Sequence, residues 1–305
     1  MLAIVCPGQG SQTPGFLAPW LELDGTRDLL ASLSDAAGVD LIRHGTESDE
    51  ETIKDTAVAQ PLIVAAGLVA AAALEADAAA PESTVVAGHS VGEITAAAVT
   101  GVLSPAEALS LVRVRATGMA RAAAATPTGM AAVVGGDQDE VLAAIEAAGL
   151  TPANVNGAGQ IVAAGTAEAL GALAESAPAR VIPLKVAGAF HTEHMRPAVD
   201  DLAAHVAGLS PSDPRLPLLS NRDGEAVESG TDVLARIVDQ VTRPVRWDLC
   251  MATMAARQVT GVLELLPGGT LTGLAKRGLK GTAQLAVKTP EDLDAARAFL
   301  AEHSA

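Results

Sequence analysis

No tyrosine occurs among the chain's 305 residues, and phenylalanine and tryptophan contribute only three and two. Basic side chains are also few, 20 against 36 acidic ones, for a net charge of −16. Nucleic-acid binding needs aromatic platforms and a basic stripe, so nucleic acid is not an expected partner. Cysteine is limited to Cys6 and Cys250, far apart and in apolar contexts, which excludes a disulfide framework and reads as two reduced core thiols. The N-terminal MLAIVCPGQG lacks the basic start of a secretory leader, and its apolar run stops at Pro7. The longest apolar stretch, 62–74, is too short for a bilayer and ends in Glu75. These absences lead us to expect a cytoplasmic protein with no membrane partner. No low-complexity tract, charge block or long-period repeat interrupts the chain, so every region is expected to fold.

What is present is a sequence that is 49% hydrophobic, enough for a full-sized core. Strand-like and helix-like segments alternate, which argues for an α/β fold. Strands are expected at 2–6 and 84–87, and helices at 61–75 and 92–100. Ser104-Pro105-Ala106-Glu107 is a capping box with proline in the first turn, predicting a helix to about residue 124. The middle of the chain has its own order: strand 130–134, a helix capped by Asp137 and stopped at Gly149, and strands 154–156 and 160–164 across Gly157-Ala158-Gly159. A helix from Thr166 to about Ser176 and a strand at 180–186 complete it. That βαββαβ order is the ferredoxin-like arrangement. It predicts a self-contained subdomain at 127–188, inserted into a discontinuous α/β domain formed by 1–126 and 189–305. Beyond it, helices are expected near 191–207, 232–241, 247–257 and 290–303, and strands at 216–219, 262–266 and 284–287.

Gly88-His89-Ser90-Val91-Gly92 lies where a strand meets a helix. Two readings compete, a tight turn with a bystander serine or a nucleophile elbow that holds the hydroxyl out of the turn. The flanking strand and helix favour the elbow. A serine nucleophile needs a base within reach. His89 is expected to point away from Ser90, His44 to lie in a polar loop, and His205 and His303 to lie on the surface. His191 and His194 follow the inserted unit, where the chain crosses between domains and a cleft is expected. They lack a third ligand and any zinc-protease signature, so no metal is expected. Arg113 and Arg115 flank the apolar face of the capped helix. Either could be a solvated boundary residue or a buried, forked carboxylate clamp, and periodicity does not choose. Gln9 stands between two glycines after the first strand, at the sheet edge where ligands gather in α/β folds. Neither PGQGSQ nor the PGGT at 267–270 matches a Walker or dinucleotide loop.

Read in order, PGQGSQ at 7–12, QP at 60–61, GHSVGE at 88–93, Arg115, ANVNGAGQIVAAG at 153–165 and GAFH at 188–191 form a pattern. With SN at 220–221, DQVTRPVRW at 239–247 and PGGTLTGL at 267–274, it spans nearly the whole chain. The pattern resembles the malonyl-CoA:acyl carrier protein transacylases, within the wider acyltransferase family of fatty-acid and polyketide synthases. The resemblance implies an α/β-hydrolase-like domain carrying a ferredoxin-like subdomain, and a ping-pong transfer of malonyl from malonyl-CoA to the phosphopantetheine thiol of acyl carrier protein. It implies Ser90 as nucleophile and His191 as base, oriented by the main-chain carbonyl of Gln240 instead of an acid. It also implies an oxyanion hole from the Val91 N–H and a donor of Gln9, and Arg115 as the grip on the malonyl carboxylate. Asn221, Gln60 and Asn156 match further pocket positions. GAFH is similar to the HAFH of malonyl-selective members. Phe190 then occupies the space an α-methyl needs, while glycine at 188 departs from the pattern and leaves tolerance of methylmalonyl open.

The resemblance further implies a monomer with no cofactor, malonyl-CoA being a substrate. An acidic carrier protein calls for a basic dock, for which Lys276, Arg277 and Lys280, with Arg180 and Lys185, are candidates. Ordinary solvated charge is the alternative reading for all five. Three rival functions remain at this point. One is a G-x-S-x-G esterase or thioesterase, one a catalytically idle carrier-protein binder, and one an acyltransferase serving a polyketide synthase in trans.

Overall fold

The computed structural model describes residues 1–75 and 84–303. Strand β1 (Leu2–Cys6) is followed by helices α1 (Thr26–Ala37), α2 (Leu41–Thr46), α3 (Glu50–Lys54) and the long α4 (Thr56–Leu74). Then β2 (Val85–Gly88) leads into α5 (Gly92–Val99) and α6 (Pro105–Ala125). The central segment runs β3 (Thr128–Val134), α7 (Gln138–Ala147), β4 (Thr151–Gly157), β5 (Gln160–Thr166), α8 (Ala167–Ser176) and β6 (Arg180–Pro183). A 3-10 segment (Glu193–Ala198) precedes α9 (Val199–Val206), β7 (Leu218–Leu219), β8 (Ala226–Val227), α10 (Gly230–Gln240), β9 (Val245–Arg246) and α11 (Trp247–Ala256). The chain closes with β10 (Gly261–Glu264), α12 (Thr270–Gly278), β11 (Ala283–Ala286) and α13 (Leu293–His303).

These strands form two sheets, ordered β11-β10-β1-β2-β7-β8 and β6-β3-β5-β4-β9. The first is parallel except for the β7–β8 pair. Its central strand reads LAIVC with no polar residue because both faces are covered. Leu2, Ile4 and Cys6 enter the largest apolar cluster, while Ala3 and Val5 face a second one built with α11 and α12. Burial pushes both cysteine thiols well above their ordinary pKa. Glu264, fully buried at the end of β10, accepts the backbone N–H groups of Gly269, Leu271 and Thr272 and so caps α12.

The small sheet is apolar on both faces. Val133, Val155 and Ile161 pack under α7 and α8, and Met130, Ala132 and Val162 join the main core. Its fifth strand comes from outside the central segment: β9 pairs in parallel with β4, Asn154 against Val245 and Val155 against Arg246. The βαββαβ order is therefore present, but the unit is not self-contained.

Several boundaries also differ from expectation. Helix α4 begins at Thr56 because Asp55 accepts the Ala57 N–H at 2.8 Å and caps it there, leaving Pro61 inside the helix. An 18-residue window of this 19-residue helix has a mean hydropathy of 2.1, and 72% of that window is buried inside the protein as a core helix. The helix expected near 191–207 is split. The Thr192 hydroxyl caps the 3-10 segment, Pro197 interrupts it, and the α-helix starts only at Val199. Strand β6 stops at Pro183, so Lys185 lies beyond it.

Candidate active site

The carboxyl ends of β1, β2 and β7 deliver PGQG, HSVG and SN to one place. After β2 the backbone reverses through Ser90, which holds φ at +55°, a left-handed conformation costing a non-glycine residue about 1–2 kcal/mol. Glycines make the turn possible. A Cβ on Gly88 would lie 2.0 Å from the Gly92 carbonyl carbon, and one on Gly92 would lie 2.2 Å from the Cys6 oxygen. Asn221 braces the turn from the end of β7, accepting the Ser90 N–H at 2.8 Å and donating to the Gly88 carbonyl at 2.7 Å. The side chain expected to line a pocket thus acts on the elbow's backbone.

The Ser90 hydroxyl meets His191 Nε2 at 2.7 Å, and His191 Nδ1 meets the Gln240 main-chain carbonyl at 2.8 Å. A carbonyl can only accept, so Nδ1 carries the proton and Nε2 presents its lone pair to the serine. His191 itself has φ +62° and is nearly fully buried. Burial, and then the guanidinium of Arg115, push its pKa down to about 3, against an opposing lift from the Gln240 carbonyl. The imidazole is therefore neutral, and a main-chain carbonyl rather than an acid positions it.

Arg115 is completely buried, while Arg113 is exposed on the far side of α6. Arg115 Nη1 donates to Gln60 Oε1 at 2.7 Å, and Nη2 to Gln240 Oε1 at 2.9 Å and Ser90 Oγ at 3.5 Å. Its Nε has no partner. Burial lowers its pKa to about 10, partly offset by the nearby charge of Glu93, so it stays cationic at neutral pH. Gln240 contributes its side chain as well as its carbonyl: Nε2 donates to Glu93 Oε2 at 2.5 Å, to the Ser90 carbonyl at 3.2 Å and to Asn221 Oδ1 at 3.2 Å.

Glu93 is the residue that the sequence reading missed. It is buried in the first turn of α5 and also accepts the Asn221 N–H at 2.5 Å. Burial raises its pKa from 4.5 to about 7, opposed by the Asn221 hydrogen bond and then by Arg115. A signal was available. A lone carboxylate in the otherwise apolar run VGEITAAAV must find a partner if that helix is buried.

The other expected residues divide. Gln9 reaches the site, but its side-chain amide is turned towards Lys54 and Thr56 and accepts from Gln60. Val91 sits at the start of α5, next to Ser90. Phe190 is buried beside His191, and Gly188 has a physical reason: a Cβ there would lie 2.7 Å from Ala123 Cβ. Asn156 meets His89 Nε2 at 2.9 Å and Gln160 Oε1 at 2.9 Å rather than the serine. His89 stacks edge-on against Trp247, in the packing role expected of it.

His194 is exposed and does not converge with His191. His44 lies within α2, not in a loop, and bonds Ser48; His205 bonds Ser110, and His303 bonds Thr260. Of the basic candidates, Lys185 lines a cleft of about 570 Å³ together with Gln9, Gln12, Lys54 and Val186. Arg180, Lys276, Arg277 and Lys280 are exposed elsewhere on the surface.

An acyl transferase domain model matches residues 3–303. The chain is 53% identical over 297 residues to the malonyl CoA-acyl carrier protein transacylase of Mycobacterium tuberculosis, covering 96% of this chain and 98% of that one. The crystal structure of MCAT from Mycobacterium tuberculosis superposes with a TM-score of 0.94 at 53% identity, covering 97% of this chain and 99% of that one. A type II polyketide acyl carrier protein in complex with its malonyl-transacylase gives a TM-score of 0.90 at 31% identity, over 97% and 99%.

Proposed function

Because this chain belongs to the acyltransferase-domain family, we propose that it carries malonyl from malonyl-CoA to the phosphopantetheine thiol of an acyl carrier protein, by way of a malonyl ester on Ser90. One observation carries the reading: a single hydroxyl, that of Ser90, lies 2.7 Å from a neutral imidazole and 3.5 Å from a buried guanidinium. A hydrolase of acyl esters needs the first of these neighbours. Only an acyl group that ends in an anion gives the second a purpose.

Ser90 attacks the thioester carbonyl as its proton passes to His191 Nε2. The Val91 N–H and the main-chain N–H of Gln9 receive the oxyanion, each contributing about 3 kcal/mol in sites of this kind. Coenzyme A leaves with the proton from His191. The carrier-protein thiol then repeats the sequence in reverse, deprotonated by the same imidazole. The malonyl carboxylate replaces the Gln60 and Gln240 amides as partner of Arg115. Phe190 crowds the malonyl α-carbon and selects against a methyl branch. Residues 1–126 and 189–305 read as an α/β-hydrolase-like unit. Residues 127–188 read as a ferredoxin-like one, supported by the β6-β3-β5-β4 order. The carrier protein docks over Lys185 and Arg180, with Lys276, Arg277 and Lys280 as a second basic patch, and the enzyme works as a cytoplasmic monomer.

Intact mass measured after brief mixing with malonyl-CoA tests the reading. A single malonyl adduct that is absent in Ser90→Ala and moves to added carrier protein supports it. Steady release of free malonate with no adduct would replace it with a hydrolase.

A further inference from the structure

A buried arginine is normally matched by an acid at contact distance, and Arg115 is not. Its hydrogen-bond partners are two neutral amides and a hydroxyl, and Nε has none. Glu93, the acid of this network, is one side chain removed, with the Gln240 amide lying between it and the guanidinium. The charge therefore acts on whatever else is near, and His191 is near. Arg115 Nη2 and His191 Nε2 contact the same Ser90 oxygen, so they lie within about 6 Å of each other, where two charges in a buried site still interact strongly.

The chemistry requires His191 to become a cation. Between attack and departure, the Ser90 proton sits on Nε2 while the O–C bond forms, and it leaves with the coenzyme A sulfur as the C–S bond breaks. The groups acting on the imidazole are Arg115 from α6, His89 from the elbow and the Gln240 carbonyl, while Glu93 from α5 is joined to them through the Gln240 side chain. Arg243, beyond α10, contributes its backbone while its side chain is exposed. Only Glu93 among these can offset a second positive charge, and it does so through an intervening amide.

Building on the function proposed above, we propose that the substrate's carboxylate switches on the base: seated on Arg115, it cancels the charge that opposes protonation of His191, so carboxylated acyl groups are favoured in the rate of acylation as well as in binding. The low pKa of His191 in the empty site, caused by burial and then by Arg115, agrees with this. Acetyl brings no charge and leaves the repulsion in place. Its acylation of Ser90 at saturation should then be slower by at least about tenfold, the scale of one such interaction in a partly screened interior.

Rapid-quench acylation of the intact enzyme with saturating malonyl-CoA or acetyl-CoA, with and without sodium formate, separates the alternatives. Formate is a carboxylate small enough to occupy the seat beside an acetyl group. The expected result is a slow acetylation that formate accelerates several-fold and saturably, with no acceleration of malonylation. Arg115→Lys keeps the charge and should keep the formate effect; Arg115→Gln should lose it. Equal saturating rates for the two donors, or formate that leaves acetylation unchanged or inhibits it, would overturn the inference and reduce Arg115 to a handle. In either case a malonyl adduct on Ser90 still forms, whereas its absence would remove the functional reading itself and this inference with it.

Discussion

Two strand ends of the large sheet bury a carboxylate, and the two are used differently. Glu264, at the end of β10, accepts three backbone N–H groups and the Thr272 hydroxyl, all between 2.8 and 2.9 Å and all from the N-cap and first turn of one helix. Glu93, beyond β2, accepts from Asn221 and Gln240, which arrive from distant parts of the chain and which also hold Ser90 and His191. The first carboxylate is a clasp between consecutive elements, satisfied by a rigid helix terminus. The second ties together the groups that position Ser90 and His191, and it retains a pKa raised to about 7 because two donors do not repay its burial. The same residue type at the carboxyl edge of one sheet thus secures the fold beside β10 and the site beside β2.

The largest effect that would test this contrast is on stability. Glu264→Ala strands three backbone donors in a dry interior and should cost about 3 kcal/mol or more, seen as an earlier urea transition. The rate of Ser90 malonylation per folded molecule should stay within about twofold. A variant that melts like the parent would show that Glu264 is no clasp.

Glu93→Gln should do the opposite, lowering acylation by about tenfold for about 1 kcal/mol or less of stability, since a lost hydrogen bond is offset by relief of a buried charge. It should also change the pH profile of unfolding. The folded-state pKa lies above the unfolded one, about 7 against 4.5, so the native protein binds the extra proton in that window and the parent loses stability as pH rises through it. Urea titrations at pH 5 and pH 7.5 should show that loss in the parent, by on the order of 1 kcal/mol or more, and a smaller one in the variant. Equal slopes would mean that Glu93 stays ionised throughout.

The smallest effect sharpens the comparison on α6. Arg113→Ala, on the exposed side, should stay within about 0.5 kcal/mol of the parent and acylate at the parent's rate. A loss of malonyl transfer there would move the anion site away from Arg115.

Ser90, His191 and Gln9 were legible because the residues that make a strained turn and a sheet-edge loop are contiguous and chemically distinctive. Arg115 could not be told from Arg113 by periodicity, because burial on a flank of α6 depends on what packs over it, here the 3-10 segment, α4 and α9. Glu93 lay inside a quoted motif, yet its partners at 221 and 240 are contacts of the tertiary fold. The Gln240 carbonyl followed from resemblance; its side chain's grip on Arg115 did not. Strands β8 and β9 escaped notice because two residues carry no period, and β6 was drawn too long because the apolar run past Pro183 continues as exposed chain.

The short strand β9 bears on how such proteins can be recombined. It completes the small sheet through β4, its Arg246 N–H reaches the Asn221 carbonyl at 2.8 Å, and it follows closely on Gln240. A graft that exchanged 127–188 for the matching piece of a relative would leave one strand of the exchanged sheet in the host, attached to the brace of Ser90 and to the carbonyl that aims His191. The transplantable piece is thus two separate stretches of sequence, 127–188 and 240–248. A chimera that swapped the first alone would carry its mismatch directly to Ser90 and His191.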